Sequence, residues 1–143
     1  MRDIDRHTKL SALWLFILLN TIFRDLHEFA KKDVLEMFLT GTYNGVEITE
    51  TLLLVGGLLS LVPISMVLFS LLLERRWLRP ATFAAAFIQT ATMLSAAPGD
   101  LDDSLHLVVG FFAMASIVWT AWAWQSRGMA DRLEHVEGGA GHD

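Results

Sequence analysis

Four apolar runs divide this chain, and each is near the roughly 20 residues that an α-helix needs to cross the hydrocarbon core of a bilayer. They lie at about 10–29, 51–73, 80–97 and 104–124. A spanning segment must satisfy its own backbone, which a helix does. The predicted fold class is therefore all-α: a polytopic membrane protein with four transmembrane helices and a short amphipathic interfacial helix at about 33–40. Residues 1–124 read as a single four-helix transmembrane domain, and 125–143 as a polar, partly disordered cytoplasmic tail.

Composition agrees. Hydrophobic residues make up 53% of the chain, mean hydropathy is +0.44, and charged residues are 19%, below the roughly 25% of soluble domains. The net charge of −5 argues against nucleic acid as a partner. The chain has no cysteine, which excludes thiol catalysis, disulfides and thiolate metal sites. The opening "MRDIDRHTKL" resembles a signal peptide only superficially. It carries two acids, and no small-residue cleavage site follows, so the first helix is expected to be retained.

Between the first and second runs, "KKDVLEMFLTGTYNG" has local order. Asp33 with Glu36 three residues on has capping-box form. Val34, Leu35, Phe38 and Leu39 share one face of a surface helix, which Gly41 ends. Tyr43-Asn44-Gly45 is a turn signal, and Thr49 is a natural N-cap for the second span. Gly56, Gly57 and Ser60 offer a small-residue face for close packing. Pro63 is expected to kink the second helix, and Pro80 suits the first turn of the third. Ala81, Ala85, Gln89, Met93 and Ala97 recur every four residues and point inward. "APGDLDDS" is an acidic connection in which Asp103 or Ser104 can cap the fourth helix. The tail is expected to be helical to Glu137 and disordered beyond.

Charge sets the orientation. Of the eleven Lys and Arg residues, eight (Arg2, Arg6, Lys9, Arg75, Arg76, Arg79, Arg127, Arg132) fall on one side. Arg24, Lys31 and Lys32 fall on the other. The positive-inside rule then places both termini in the cytoplasm and the chain in the cell (inner or plasma) membrane. Trp14, Trp77, Trp119, Trp122 and Trp124 all map to the cytoplasmic boundary, as an aromatic belt would.

The candidate polar site is Asn20, Arg24, Asp25, His27, Glu28, Glu50, Gln89 and His106. Asn20, Arg24 and Glu28 are spaced i, i+4, i+8 and line one face of the first helix, with His27 beside it. Glu50 and His106 open the second and fourth helices at the same outer side. Carboxylate and imidazole together can relay protons, hold a cation or orient a head group. The plainer reading is an ordinary set of interfacial charges that anchor helix ends, with Asn20 and Gln89 as interhelical glue. Haem would need two inward imidazoles at one depth, and His27 and His106 match this poorly. A divalent metal at His27, Glu28, Glu50 and His106 is the weaker reading, and neither metal nor cofactor is expected. No nucleophile elbow, P-loop, dinucleotide or zinc-protease motif is present.

The stretches "LSALWLFILLNTIFRDLHEF", "GVEITETLLL", "VPISMVLFSLLLERRWLRPA" and "WTAWAW" resemble those of a bacterial family of small four-helix integral membrane proteins of unknown function. The resemblance runs to about Gln125. It rests on the Asn20-to-Asp25 spacing, the "GVxIT" entry to the second helix, Pro63 and the aromatic close of the fourth. It implies acidic and histidine counterparts for Asp25 and His106, making these two the first choices for a site. Members also carry glutamates where this chain has Leu61 and Met114.

Three functions are open to such a chain. The first is a structural, accessory or sensory membrane protein, which leans away from an enzyme. The second is a small transporter or permeability factor built around Asp25 and His106. The third is a binder of, or enzyme on, a lipid or quinone head group. The expected partners are the lipid bilayer and a second copy in a homo-oligomer; no small-molecule ligand is assignable.

Overall fold

A computed structural model describes residues 5–43, 45–95 and 99–139, with side chains in the last helix described to Ala123. The protein is all-α apart from one small hairpin. Its elements are α1 (Arg6–Phe29), α2 (Lys32–Leu39), β1 (Thr42–Tyr43), β2 (Val46–Glu47), α3 (Glu50–Leu72), α4 (Arg75–Ser95) and α5 (Leu101–Gly139). Helix α1 packs on α3 and α5, and α4 packs on the same two helices from the opposite side. Sequential neighbours run antiparallel, so the ends sort into two sets. One end holds the start of α1, the α3–α4 junction and Ala121. The other holds α2, the hairpin and the start of α5. The first is rich in Arg and the second in Asp and Glu, so they are called here the basic and acidic ends.

Among the described residues, three helices, rather than the expected four, are long and apolar enough to cross a membrane: Arg6–Phe29, Glu50–Leu72 and Leu101–Ala123, with mean hydropathies of 1.2, 2.5 and 1.7. Helix α4 does not qualify. It opens with Arg75, Arg76 and Arg79, and it spends its inner face on Thr82, Ala85, Ala86 and Gln89, all buried. The third helix also starts five residues before Pro80. The exposed Pro80 is carried inside α4, where the carbonyl that its missing N–H would have served lies in the first turns.

The apolar core sits in the basic half of the bundle. Leu10, Trp14 and Ile17 of α1 meet Met66 of α3, Leu78, Ala85 and Ala86 of α4, and Ala113, Met114 and Ile117 of α5. Polar pins reinforce this half: Ser11 Oγ donates to Val67 O at 2.9 Å, His7 Nδ1 to Ser70 O at 2.8 Å and Arg79 Nε to Ala121 O at 3.3 Å. Trp14 is fully buried in this core, so it is not part of an aromatic belt. Trp77, Trp119 and Trp122 are exposed as a belt requires, and the Trp124 side chain lies outside the described residues.

The acidic half of α3 is different. From Glu50 to Leu61 the helix buries no residue. Gly56 and Gly57 have open space where a side chain would begin. The expected small-residue face therefore brings no backbone close within this chain. Helix α3 passes through the buried Pro63 without ending.

Several local expectations hold. Thr49 caps α3, its side chain accepting from Leu52 N at 3.2 Å. Gly41 ends α2 with φ +76°, the left-handed position that favours glycine after a helix. Other details differ. The Asp33–Glu36 capping box does not form: Lys31 is the N-cap, with no side-chain cap bond, so Asp33 stands inside the first turn. Val34 is buried and Phe38 half-buried, while Leu35 and Leu39 are exposed. The expected single face of α2 thus splits in two. The turn around Gly45 is a β-hairpin pairing Thr42 with Glu47 and Tyr43 with Val46. Its signal was the Asn-Gly pair, the strongest short-range mark of a two-residue hairpin loop. Helix α5 begins at Leu101, three residues early, and stays helical to Gly139, past the expected end at Glu137. Residues 140–143 and Ala97 lie outside the described residues.

Candidate functional site

The acidic end is held by side chains rather than by apolar packing. It is built from the last two turns of α1 and the first two of α5. Helix α5 starts where Asp100 Oδ1 accepts from Asp103 N at 2.9 Å, an N-cap three residues before the position it serves. Asp103 reaches back, its Oδ2 accepting from Gly99 N at 3.0 Å. The cap is therefore Asp100, not Asp103 or Ser104. Acids in a first helical turn are also favoured by the helix dipole.

This reciprocal cap leaves three carboxylates facing α1, and each meets a different partner. Asp103 is buried, and its Oδ1 accepts from Arg24 Nε at 3.1 Å. Asp100 Oδ2 lies 2.5 Å from Lys31 Nζ, and Lys31 also holds Glu28 Oε2 at 2.6 Å. Asp102 meets two imidazoles: its Oδ2 is 3.0 Å from His27 Nδ1 and its Oδ1 is 3.8 Å from His106 Nε2. The His27 and His106 rings stand edge to face, 5.7 Å between centroids.

Beneath this layer, Asn20 and His106 bond twice. Asn20 Nδ2 donates to the His106 backbone O at 2.9 Å. His106 Nδ1 donates to Asn20 Oδ1, also at 2.9 Å. The second direction follows from the first. A backbone carbonyl only accepts, so the amide nitrogen faces it. The amide oxygen then faces Nδ1, which must carry the proton.

One turn deeper, Gly110 lets α4 approach. A Cβ on Gly110 would overlap Met93 Cε and come within 3.4 Å of Asn20 Nδ2. Met93 and Gln89, one turn apart on α4, are both buried. The Met93 thioether thus lies beside Gly110 and close to the Asn20 amide, where α4 meets α5.

Electrostatics outside the spans follow the pairing. The Asp100 carboxyl lies below its usual 3.8, held first by the Asp103 N–H and then by Lys31. The Lys31 ammonium is raised above its usual 10.5 by Asp100 and Glu28.

Of the eight candidate residues, the structure gathers Asn20, Arg24, His27, Glu28 and His106 at one end of the bundle. Gln89 is buried deeper and stands apart from them. Asp25 is exposed and makes no hydrogen bond or ion pair among the described residues. It stands about 100° around α1 from Arg24. Glu50 is likewise exposed, at the start of α3, and makes no hydrogen bond or ion pair among the described residues. The residues that sequence reasoning missed are Asp100, Asp102, Asp103 and Lys31. A signal existed: Asp102 precedes His106 by four residues, which stacks the two on one helical face.

A family model matches residues 2–131. The chain belongs to DUF6326, a family of unknown function. No curated protein and no solved structure matches the chain significantly.

Proposed function

We propose that this DUF6326 protein crosses the membrane four times, with both termini in the cytoplasm, and serves as a structural, accessory or sensory component rather than as a transporter. The observation that carries the reading is the surface of α3. Leu52, Leu53, Leu54, Val55, Leu58 and Leu61 are all exposed, on the helix of highest mean hydropathy. Contiguous apolar surface of this extent marks an interface or a membrane, and lipid covers the face that α1 and α4 leave open.

Connectivity supports the fourth crossing. Helix α3 ends at the basic end and α5 begins at the acidic end. The 21 residues of α4 join them over about 30 Å at 1.5 Å per residue. If α3 and α5 cross, α4 crosses between them, and its polar residues face the bundle.

A transporter would need Asn20, Gln89 and Asp25 along one continuous cavity. Asp25 is exposed and makes no hydrogen bond or ion pair among the described residues, Asn20 is bonded twice to His106, and Met93 packs beside Gly110 and Asn20, which does not favour such a path. The test is extraction from native membranes. The protein should stay in the pellet through an alkaline carbonate wash and leave it in detergent. Release by carbonate alone would overturn the membrane-spanning reading.

A further inference from the structure

We propose that His27, Asp102 and His106 form a binding site for a zinc-class divalent cation, which clamps the acidic end of α1 to the start of α5. The inference concerns a local site and does not depend on how often the chain crosses a membrane.

Three observations carry it. First, each of the three residues offers a ligand atom, and these atoms all lie within 4.8 Å of one another. Two ligands on a tetrahedral zinc, each at about 2.0–2.1 Å, stand about 3.3 Å apart. One Asp102 oxygen lies 3.0 Å from His27 Nδ1 and its other oxygen 3.8 Å from His106 Nε2, one on either side of that figure.

Second, Asn20 presets His106. With its proton fixed on Nδ1, a neutral His106 presents a bare lone pair at Nε2. That lone pair faces Asp102 Oδ1 across 3.8 Å. Two acceptors oppose each other, and the gap is too long for a direct hydrogen bond. A shared cation fits it. A metal-ligating histidine commonly donates its other ring N–H to an oxygen that fixes ring and tautomer, and Asn20 Oδ1 holds that place here.

Third, the two acidic groupings at this end differ. Glu28, Asp100 and Asp103 also cluster, but each already meets an ammonium or guanidinium, Lys31 or Arg24. Among the described residues, Asp102 has only the two imidazoles for partners. Of the carboxylates in these two groupings, it is the one that meets no Lys or Arg. Two imidazoles and one carboxylate favour zinc and its neighbours over magnesium or calcium, which prefer oxygen. The exposed side of His27 leaves a fourth position for water.

The test uses the full chain in detergent, purified without a histidine tag and stripped with chelator. Zinc chloride should bind at one ion per chain and raise the melting midpoint by several degrees; magnesium and calcium should not. His27→Gln alters a side chain that is 57% exposed, so the variant should fold, and it should weaken zinc binding at least tenfold. Asn20→Ser should weaken it by roughly 10–100-fold, as loss of an orienting partner does. The double change His135→Gln with His142→Gln should leave zinc affinity as it was. A midpoint that ignores zinc overturns the proposal, including one that shifts with pH alone, which would mean a proton site. Zinc binding that His27→Gln does not weaken also overturns it, and means an adventitious ion only.

Discussion

Asn20 and His106 exchange two hydrogen bonds of 2.9 Å, one through the His106 backbone and one through its ring, and so lock α1 against α5 at one depth. Asn20→Leu removes both and leaves a carbonyl and a ring N–H to find other partners. Net hydrogen bonds contribute about 1 kcal/mol in proteins and about 0.6 kcal/mol on average between membrane helices. The variant should lose roughly 1–2 kcal/mol in a detergent unfolding titration. An unchanged midpoint would show that the pair does not bear on stability.

Arg24 and Asp103 form the most enclosed ion pair of the acidic end, with side-chain exposures of 22% and 6%. Removing one partner of a buried pair costs about 3–5 kcal/mol, because the other charge stays buried and unpaired. Arg24 keeps some contact with solvent, so Arg24→Met is expected to cost about 2–3 kcal/mol. Adding Asp103→Asn should then cost less than it does in the wild type. A double-mutant cycle measures that difference, and strict additivity would rule out a coupled pair.

The bundle's two halves explain what the sequence discloses. The basic half is packed by apolar residues at helical spacing, such as Leu10, Trp14 and Ile17, and periodicity finds these. It also placed Ala85, Gln89 and Met93 on one buried face. The acidic half is decided by which carboxylate meets which cation. That depends on helix rotation and on where α5 begins. A three-residue error in that start hid the cap at Asp100 and the approach of Asp102 to His27. Asp25 stays out of that pairing for a related reason: a one-residue step along α1 rotates a side chain by about 100°, so Asp25 and Arg24 face different ways. The belt reading of Trp14 failed because interfacial depth does not say which way a side chain faces.

The Asp100–Lys31 link makes the acidic end sensitive to pH at both extremes. The folded Asp100 carboxyl lies below its usual 3.8. Its stabilisation is complete above 3.8 and fades as pH falls through the lowered value. The folded Lys31 ammonium lies above its usual 10.5. Its stabilisation is complete below 10.5 and fades as pH rises further. The hydrogen-exchange protection factor of the first turn of α5, which corrects for the intrinsic pH dependence of exchange, should be high at pH 6 and fall below pH 4. Asp100→Asn should remove much of that acid response. A fall of the same size in the variant would assign the response to other groups.

Gly110 is the point at which α5 accommodates Met93. A Cβ there overlaps the Met93 terminal methyl, which can swing aside. Gly110→Ala should therefore be mild, below about 1 kcal/mol. Gly110→Leu should cost about 1–3 kcal/mol or more, as overpacking does. Met93→Ala should recover part of that loss by vacating the space, although alone it costs about 2–5 kcal/mol. A leucine variant that Met93→Ala does not relieve would mean that the crowding lies elsewhere.

On the proposed membrane-spanning reading, the basic and acidic ends predict the orientation of the chain. Arg6, Lys9, Arg75, Arg76 and Arg79 gather at one end with the exposed Trp77, Trp119 and Trp122. Asp100, Asp102, Asp103, Glu28 and Glu47 gather at the other. Positively charged loops stay in the cytoplasm, so a reporter fused after Gly139 should read cytoplasmic. One inserted at Gly45, in the hairpin, should read external. A reporter after Ser95 tests the crossing by α4 itself. It should read external if α4 spans and cytoplasmic if α4 lies on the inner surface, and the second result would leave the chain with three crossings at most.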